Sequence, residues 1–82
     1  MTEEERQAKL DSLVRCKQFG EKAYDEMYEA HSASGATGRY SDAKEAFYDA
    51  IRHAEDLGMA EEAEALRKRL EHIKAVFRSQ FS

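Results

Sequence analysis

"GRYSDAKEAFYDAI", residues 38–51, is the stretch that decides the fold, because its apolar side chains recur with helical spacing. The spacing continues beyond the stretch, where apolar residues follow one another at intervals of three or four. These positions are Ala43, Ala46, Phe47, Ala50, Ile51, Ala54 and Leu57. They predict a helix over about residues 42–57 with one apolar stripe, capped by Ser41 and ended by Gly58.

A second helix is predicted upstream, over about residues 3–31. Thr2 followed by Glu5 has the spacing of a capping box, and the acidic first turn suits the positive end of the helix dipole. Between the two helices lies "SASGATG", residues 32–38, the only stretch of low helix propensity. We therefore expect a loop over residues 32–40.

A third helix is predicted over about residues 60–80, because apolar residues there alternate at steps of four and three. The series is Met59, Ala63, Leu66, Leu70, Ile73 and Phe77, and Phe81 adds one further step. Such a heptad seam packs at the shallow crossing angle of helix bundles. The chain has no proline and no strand-like alternation. We expect one all-α domain over residues 1–82, a small antiparallel three-helix bundle.

The middle of the chain resembles the second helix of a tetratricopeptide repeat. In that family a small residue and an aromatic residue precede an alanine, a large aromatic residue and another alanine at fixed intervals. Gly38, Tyr40, Ala43, Phe47 and Ala50 stand at those intervals. The resemblance implies a TPR-like central hairpin and a role in binding other proteins. The same residues suit close packing on physical grounds, because alanines let two helices approach and a phenylalanine fills the gap between them.

The first helix carries more apolar surface than a helix at the edge of a small domain needs. At roughly 100° per residue, its apolar residues form two adjacent faces. One face contains Leu10, Leu13, Val14, Tyr24, Tyr28 and His31, and the other contains Cys16, Phe19, Gly20, Ala23, Met27 and Ala30. Either the helix touches both other helices, or one face binds another molecule, a second copy or a different protein.

The second interpretation draws on the tyrosines of this helix, since tyrosine is enriched at protein interfaces. The candidate partner-binding residues are Leu13, Tyr24, Tyr28, His31 and Phe81.

The composition argues against several classes of protein. Thirteen lysines and arginines against 17 acidic residues give a formal charge of -4, which disfavours general nucleic-acid binding. A single cysteine, Cys16, leaves no internal disulfide and fits a reducing compartment. The N-terminal segment is acidic, and no apolar run approaches the roughly 20 residues that span a bilayer. We expect a cytoplasmic protein without a membrane partner.

One triplet of side chains has a spacing that would suit a metal. Asp49, His53 and Asp56 share a helix face, and two carboxylates with an imidazole can hold a divalent ion. A solvated helix surface produces the same triplet, and no second cluster completes it, so we expect no metal and no cofactor. Cys16 is interpreted as a small buried hydrophobe rather than a nucleophile. The sequence lacks the recurring catalytic motifs, and we expect no enzymatic activity.

The last helix begins acidic and ends basic, which the helix dipole favours. Its basic residues are Arg67, Lys68, Arg69, Lys74 and Arg78. A basic patch that contacts nucleic acid is the alternative, although residues 67–69 point in three directions around the helix. The sequence therefore predicts a non-enzymatic protein-interaction module that binds a second copy of itself or a different protein. The alternative is a small nucleic-acid-associated or regulatory protein that uses the basic helix.

Overall fold

A computed structural model describes residues 1–81 and contains, within that range, three helices and no strand. α1 spans Glu3–Glu29, α2 spans Ala33–Asp56 and α3 spans Ala60–Phe81. α1 packs against α2, and α2 packs against α3. The predicted all-α class and three-helix bundle are confirmed.

The ion pairs between helices establish their directions. Lys9, near the start of α1, pairs with Asp56 at the end of α2 (Nζ to Oδ2, 3.2 Å), and Glu26 near the end of α1 pairs with Arg39 at 3.1 Å. These two helices are therefore antiparallel.

The pairs between α1 and α3 advance together along both helices. Lys17 pairs with Glu62 at 2.6 Å, and Glu21 pairs with Arg69 at 2.6 Å. The chain therefore runs up, down and up, with α2 antiparallel to both other helices. The bundle is elongated, at 45 × 19 × 12 Å, and its radius of gyration of 13.8 Å exceeds the roughly 12 Å of a compact chain of this length.

The prediction of a loop over residues 32–40 was wrong, because α2 begins at Ala33 and its N-cap is Ser32 rather than Ser41. The Ser32 hydroxyl oxygen accepts a hydrogen bond from the backbone N–H of Gly35 at 3.0 Å. A side-chain cap of this kind stabilises a helix start by about 1 kcal/mol.

Burial also holds this first part of α2 in a helix. Ala36 is fully buried, at 0% exposed, and Thr37 donates a hydrogen bond to the carbonyl of Ala33 at 2.9 Å. Most of the stability of a short helical segment comes from its packing rather than from propensity. A segment of small, low-propensity residues is therefore helical where its alanine meets the core.

The other helix ends follow the sequence more closely. The backbone N–H of Glu5 donates to the Thr2 hydroxyl at 3.1 Å, as the capping-box spacing predicted. Gly58 ends the α2 segment with a φ of 71°, a left-handed conformation that glycine adopts without a Cβ clash. Gly58 N–H donates to the Glu55 carbonyl at 3.0 Å, and Met59 N–H donates to the Ala54 carbonyl at 2.9 Å. Together these bonds form a Schellman motif.

The core runs the length of the bundle and draws on all three helices. Its largest fully buried side chains are Phe47, Met27 and Ile73. Phe47 lies directly against Gly20 of α1, because a Cβ added at Gly20 would lie 2.7 Å from the Phe47 ring. The fold therefore brings α1 and α2 together where a glycine faces an aromatic ring.

Candidate protein-binding face

The side of the α1/α2 pair that faces away from α3 carries the most exposed phenylalanine or tyrosine of residues 1–81. Phe19 is 55% exposed, and two depressions of about 390 Å³ and 220 Å³ meet at its ring. No α3 residue lines either depression. We call this surface the Phe19 face, and it comprises Arg15, Cys16, Phe19, Lys22, Ala23 and Glu26 of α1 with Arg39, Asp42, Glu45, Ala46 and Asp49 of α2.

The exposure of Phe19 follows from its place beside Gly20 in α1. Gly20 is buried against α2, and successive residues of a helix project roughly 100° apart, so the preceding ring points sideways out of the interface. On α2 the larger depression is lined by Ala46, whose methyl group is too small to cover a neighbouring ring. Gly20 therefore accounts for both features. It lets α1 approach α2, and it leaves the neighbouring Phe19 ring outside the contact.

The two halves of the Phe19 face differ in net charge, and Glu26 of α1 and Arg39 of α2, which oppose the trend, pair with each other at 3.1 Å. Arg15 and Lys22 lie on the α1 half, and neither forms an ion pair within residues 1–81. The α2 half holds three carboxylates, of which Asp42 pairs with Arg39 and Asp49 pairs with Arg52.

The third carboxylate, Glu45, forms no ion pair with any residue of the range 1–81 and is exposed. The face thus presents unpaired cations beside an unpaired anion, around an apolar centre.

Cys16 lies at the edge of the larger depression and is only partly buried. Burial raises the pKa of its thiol, the negative charge of Asp49 raises it further, and Arg15 opposes them. The thiolate is the reactive form of cysteine, so this setting disfavours nucleophilic chemistry. Cys16 therefore adds apolar surface to the face.

The predicted partner-binding residues are spread over several environments. Leu13 and Tyr24 lie in the core, at 3% and 7% exposed, where they pack within the chain itself. Tyr28 is 48% exposed and meets Tyr24 edge to face at 5.3 Å. His31 is exposed, and Phe81 is partly buried on Phe77, with ring centroids 5.6 Å apart. Two of the five, Leu13 and Tyr24, therefore belong to the core rather than to an exposed surface.

Most of the wide apolar surface of α1, whose role the sequence left open, is buried within the bundle. Gly20, Ala23 and Met27 are buried on the α2 side, while Tyr24 approaches His72 of α3, with 3.5 Å between the Tyr24 hydroxyl and His72 Nε2. α1 therefore touches both other helices. The part of its apolar surface on the α2 side that remains exposed is Phe19.

The basic residues of α3 are mostly engaged with carboxylates of the same chain. The Arg69 guanidinium donates to both carboxylate oxygens of Glu21, at 2.6–3.2 Å, and lies over the Tyr24 ring at 4.9 Å. Arg67 pairs with Glu55 and Glu64.

Lys74 lies 3.6 Å from Glu71 and donates to the Tyr48 hydroxyl at 2.8 Å, and that hydrogen bond is the main cause that raises the pKa of Lys74. Lys68 and Arg78 are exposed. Carboxylates of the same chain therefore lie beside three of the five basic residues of the patch.

The metal candidates do not converge. Asp49 is turned to Arg52, and Asp56 pairs with Lys9. His53 has a buried Nδ1 that finds no hydrogen-bond partner in the described part of the chain. Within residues 1–81, no group of three His, Cys, Asp or Glu side chains is arranged to hold a metal ion.

Sequence reasoning placed Phe19 on an apolar face of the first helix but missed its exposure and the charged rim around it. A usable signal was present, because Phe19 borders the polar arc that contains Arg15 and Lys22. The α2 half of the face was not foreseen, since it depends on which edge of α2 lies beside α1.

Comparisons of the chain with family models, with curated proteins and with solved structures found no match. The resemblance to a tetratricopeptide repeat stays a prediction. None of the helices within residues 1–81 combines the length and the apolar character needed to cross a membrane.

Proposed function

We propose that this chain is a non-enzymatic protein-interaction module that binds a protein partner through the Phe19 face. The observation that carries the proposal is the Phe19 ring, 55% exposed between two depressions and bordered by charged side chains. An exposed aromatic residue in an apolar centre with a polar rim is the usual anatomy of a protein interface.

Phe19 differs from the other exposed aromatic residues in how it is engaged. Tyr28 meets Tyr24 edge to face, and Tyr48 contacts Lys74. Phe19 has no ring–ring or cation–π contact within residues 1–81. Its hydrophobic surface is therefore the most available for burial by another molecule.

The alternative, a nucleic-acid-associated protein that uses α3, has less support. Phosphate contacts need cations that are not already neutralised, and Arg67, Arg69 and Lys74 face carboxylates of their own chain. The net charge of -4 adds long-range repulsion from a polyanion.

The proposal is tested by comparing Phe19→Asp with Val14→Asp as bait proteins. Both residues are on α1 and similarly exposed, at 55% and 50%, but Val14 lies outside the Phe19 face. Each bait and the unmodified chain are immobilised, and the proteins they retain, including added free copies of the chain, are quantified. We expect Phe19→Asp to abolish the specific retention and Val14→Asp to preserve it, because a charge in an apolar interface centre is strongly unfavourable.

Equal unfolding midpoints in urea and equal helix content by circular dichroism are the control for both variants. If the Phe19→Asp bait retains the same proteins in the same amounts as the unmodified chain, the Phe19 face is not the binding surface and the proposal is wrong.

A further inference from the structure

The Phe19 face is complementary in charge to itself. Its α1 half presents Arg15 and Lys22 around the Phe19 ring, and its α2 half presents carboxylates around Ala46. The α1 half is basic and carries the large Phe19 ring, and the α2 half is acidic and carries the small Ala46 side chain. In a suitably rotated second copy, each half therefore faces its complement. This is the condition for an isologous interface.

The heights of these residues along the bundle decide which rotation matches. The two α1/α2 ion pairs at the opposite ends of α1 fix the register of the antiparallel helices. Arg15, Phe19 and Lys22 of α1 therefore each lie at the same height along the bundle, within about one residue, as a residue of α2 with opposite charge or, for Phe19, a small side chain. The level pairs are Arg15 with Asp49, Phe19 with Ala46, and Lys22 with Asp42.

A two-fold axis parallel to the helices keeps every residue at its own height and places α1 of one copy over α2 of the other. Arg15 then faces Asp49 of the second copy, which also pairs with Arg52 of its own chain, and Lys22 faces Glu45, which is unpaired within residues 1–81, beside Asp42. The Phe19 ring enters the depression beside Ala46. Each contact occurs twice, and every neighbouring pair in the resulting four-helix core is antiparallel, the arrangement of up-and-down four-helix bundles.

A two-fold axis perpendicular to the helices gives the opposite result. It places α1 over α1 and inverts the heights about Phe19, so that Arg15 meets Lys22 of the second copy. On the other side Asp42 meets Asp49. Like charges that face one another across an interface are unfavourable, so the charges select the parallel axis.

We propose that the partner of the Phe19 face is a second copy of this chain, related by a two-fold axis parallel to the helices. The inference rests on the proposed function and names its partner. The source of the specificity is the pairing of Arg15 and Lys22 on the α1 half with the carboxylates of the α2 half.

The test is the solution mass by light scattering after size exclusion, over a hundredfold range of concentration, for the unmodified chain and a set of charge reversals. We expect the mass to rise from 9.4 kDa toward twice that value as the concentration increases. Lys22→Glu and Glu45→Lys each place like charges across the interface, so each should raise the dimer dissociation constant by at least about tenfold. The double variant restores opposite charges and should recover most of the association.

The recovery in the double variant is the decisive measurement, because only a contact between the two halves of the same face predicts it. Lys68→Glu, an exposed charge reversal on α3, is the matched control and should leave the mass unchanged. Phe19→Asp should give a monomer at every concentration, and Val14→Asp a dimer.

Three outcomes would overturn the inference. The first is a monomer throughout the concentration range, the second a dimer that survives Phe19→Asp, and the third a double variant no better than its parents. If the chain is monomeric but its bait retains a different protein in a Phe19-dependent manner, the inference fails while the proposed function stands. If neither copies nor other proteins depend on Phe19, both fail.

Discussion

α1 and α3 both pack against α2, but they do so with side chains of very different size. On the α1 side the contact includes Gly20, which lies against Phe47 of α2, together with the buried Ala23 and Met27. On the α3 side it is made by a seam of large residues: Leu66, Leu70, Ile73 and Phe77. Tyr40 of α2 stacks on Phe77, with ring centroids 3.9 Å apart and planes 3° from parallel.

The difference shows two ways in which a short chain obtains a core. Small residues let backbones approach but tolerate no added atom, whereas a heptad seam of flexible side chains can repack. α3 is also held to α1 by polar bridges, from Lys17 to Glu62 and from Glu21 to Arg69. The α1/α2 contact should therefore be sensitive to single atoms, and the attachment of α3 should be tolerant.

The largest effect is expected where both packing modes meet, at Phe47. This ring is 1% exposed, contacts Gly20 of α1, and lines the α1/α3 groove with Leu66. Phe47→Ala should lower the free energy of unfolding by about 3–5 kcal/mol, measured by urea denaturation, because it leaves a cavity at the junction of the helices. That loss is a large part of the stability of a domain this small.

The neighbouring residue provides the control. Tyr48 is 48% exposed, so Tyr48→Ala should change the unfolding free energy by less than about 1 kcal/mol. Equal losses for the two variants would mean that the stripe containing Phe47 is not the core of the bundle.

The second effect tests the intolerance of the α1/α2 contact with a single methyl group. Gly20→Ala places a Cβ 2.7 Å from the Phe47 ring, whereas a Cβ at Gly38 meets nothing within 4 Å. Both glycines are helical, so both substitutions gain about 0.5–1 kcal/mol from backbone entropy and propensity. Only Gly20→Ala also carries the cost of overpacking, about 1–3 kcal/mol.

Gly38→Ala should therefore raise the unfolding free energy, and Gly20→Ala should lie below it by about 1–3 kcal/mol. The two variants are compared by urea denaturation under identical conditions. If the two variants stabilise the protein equally, α1 and α2 accommodate the added methyl group without a measurable loss of unfolding free energy. The contact at Gly20 is then no more sensitive to added atoms than the α3 seam.

The sequence was sufficient for the helices whose apolar pattern is unbroken. The heptad of α3 and the Gly58 stop could be read directly, because periodicity and turn chemistry are local properties. The start of α2 could not, since residues 32–38 have low propensity and the helix from Ala33 onward is held by the burial of Ala36. The signal that existed there was Ser32 itself, an N-cap residue one position before the observed helix.

The candidate site was less predictable than the fold, for a geometric reason. Tyrosine content and apolar excess directed attention to Tyr24 and Tyr28, but the first of them fills the space between α1 and α3. Exposure of Phe19 depends on Gly20 facing Phe47 and on the small Ala46 beside it. Such facts arise from the register between two helices, which sequence periodicity does not specify.

The smallest effect tests how much the polar bridges add to the α3 seam. The Glu21 carboxylate accepts three hydrogen bonds from the Arg69 guanidinium, at 2.6, 3.2 and 2.9 Å, but the two side chains are 42% and 40% exposed. Solvent screens a pair this exposed, so Glu21→Gln should lower the unfolding free energy by no more than about 1 kcal/mol. The loss should fall toward zero at about 1 M salt, where the Debye length is about 3 Å.

The matched control for this bridge is Glu29→Gln, an exposed carboxylate of α1 that forms no ion pair within residues 1–81. Hydrogen exchange then locates the effect, because loosening of α3 alone raises exchange in α3 and spares the amides around Gly20 in α1. A loss above about 2 kcal/mol that persists at high salt would mean that α3 depends on its contact with α1 as strongly as on the seam with α2. The contrast between an exacting α1 contact and a tolerant α3 contact would then be false.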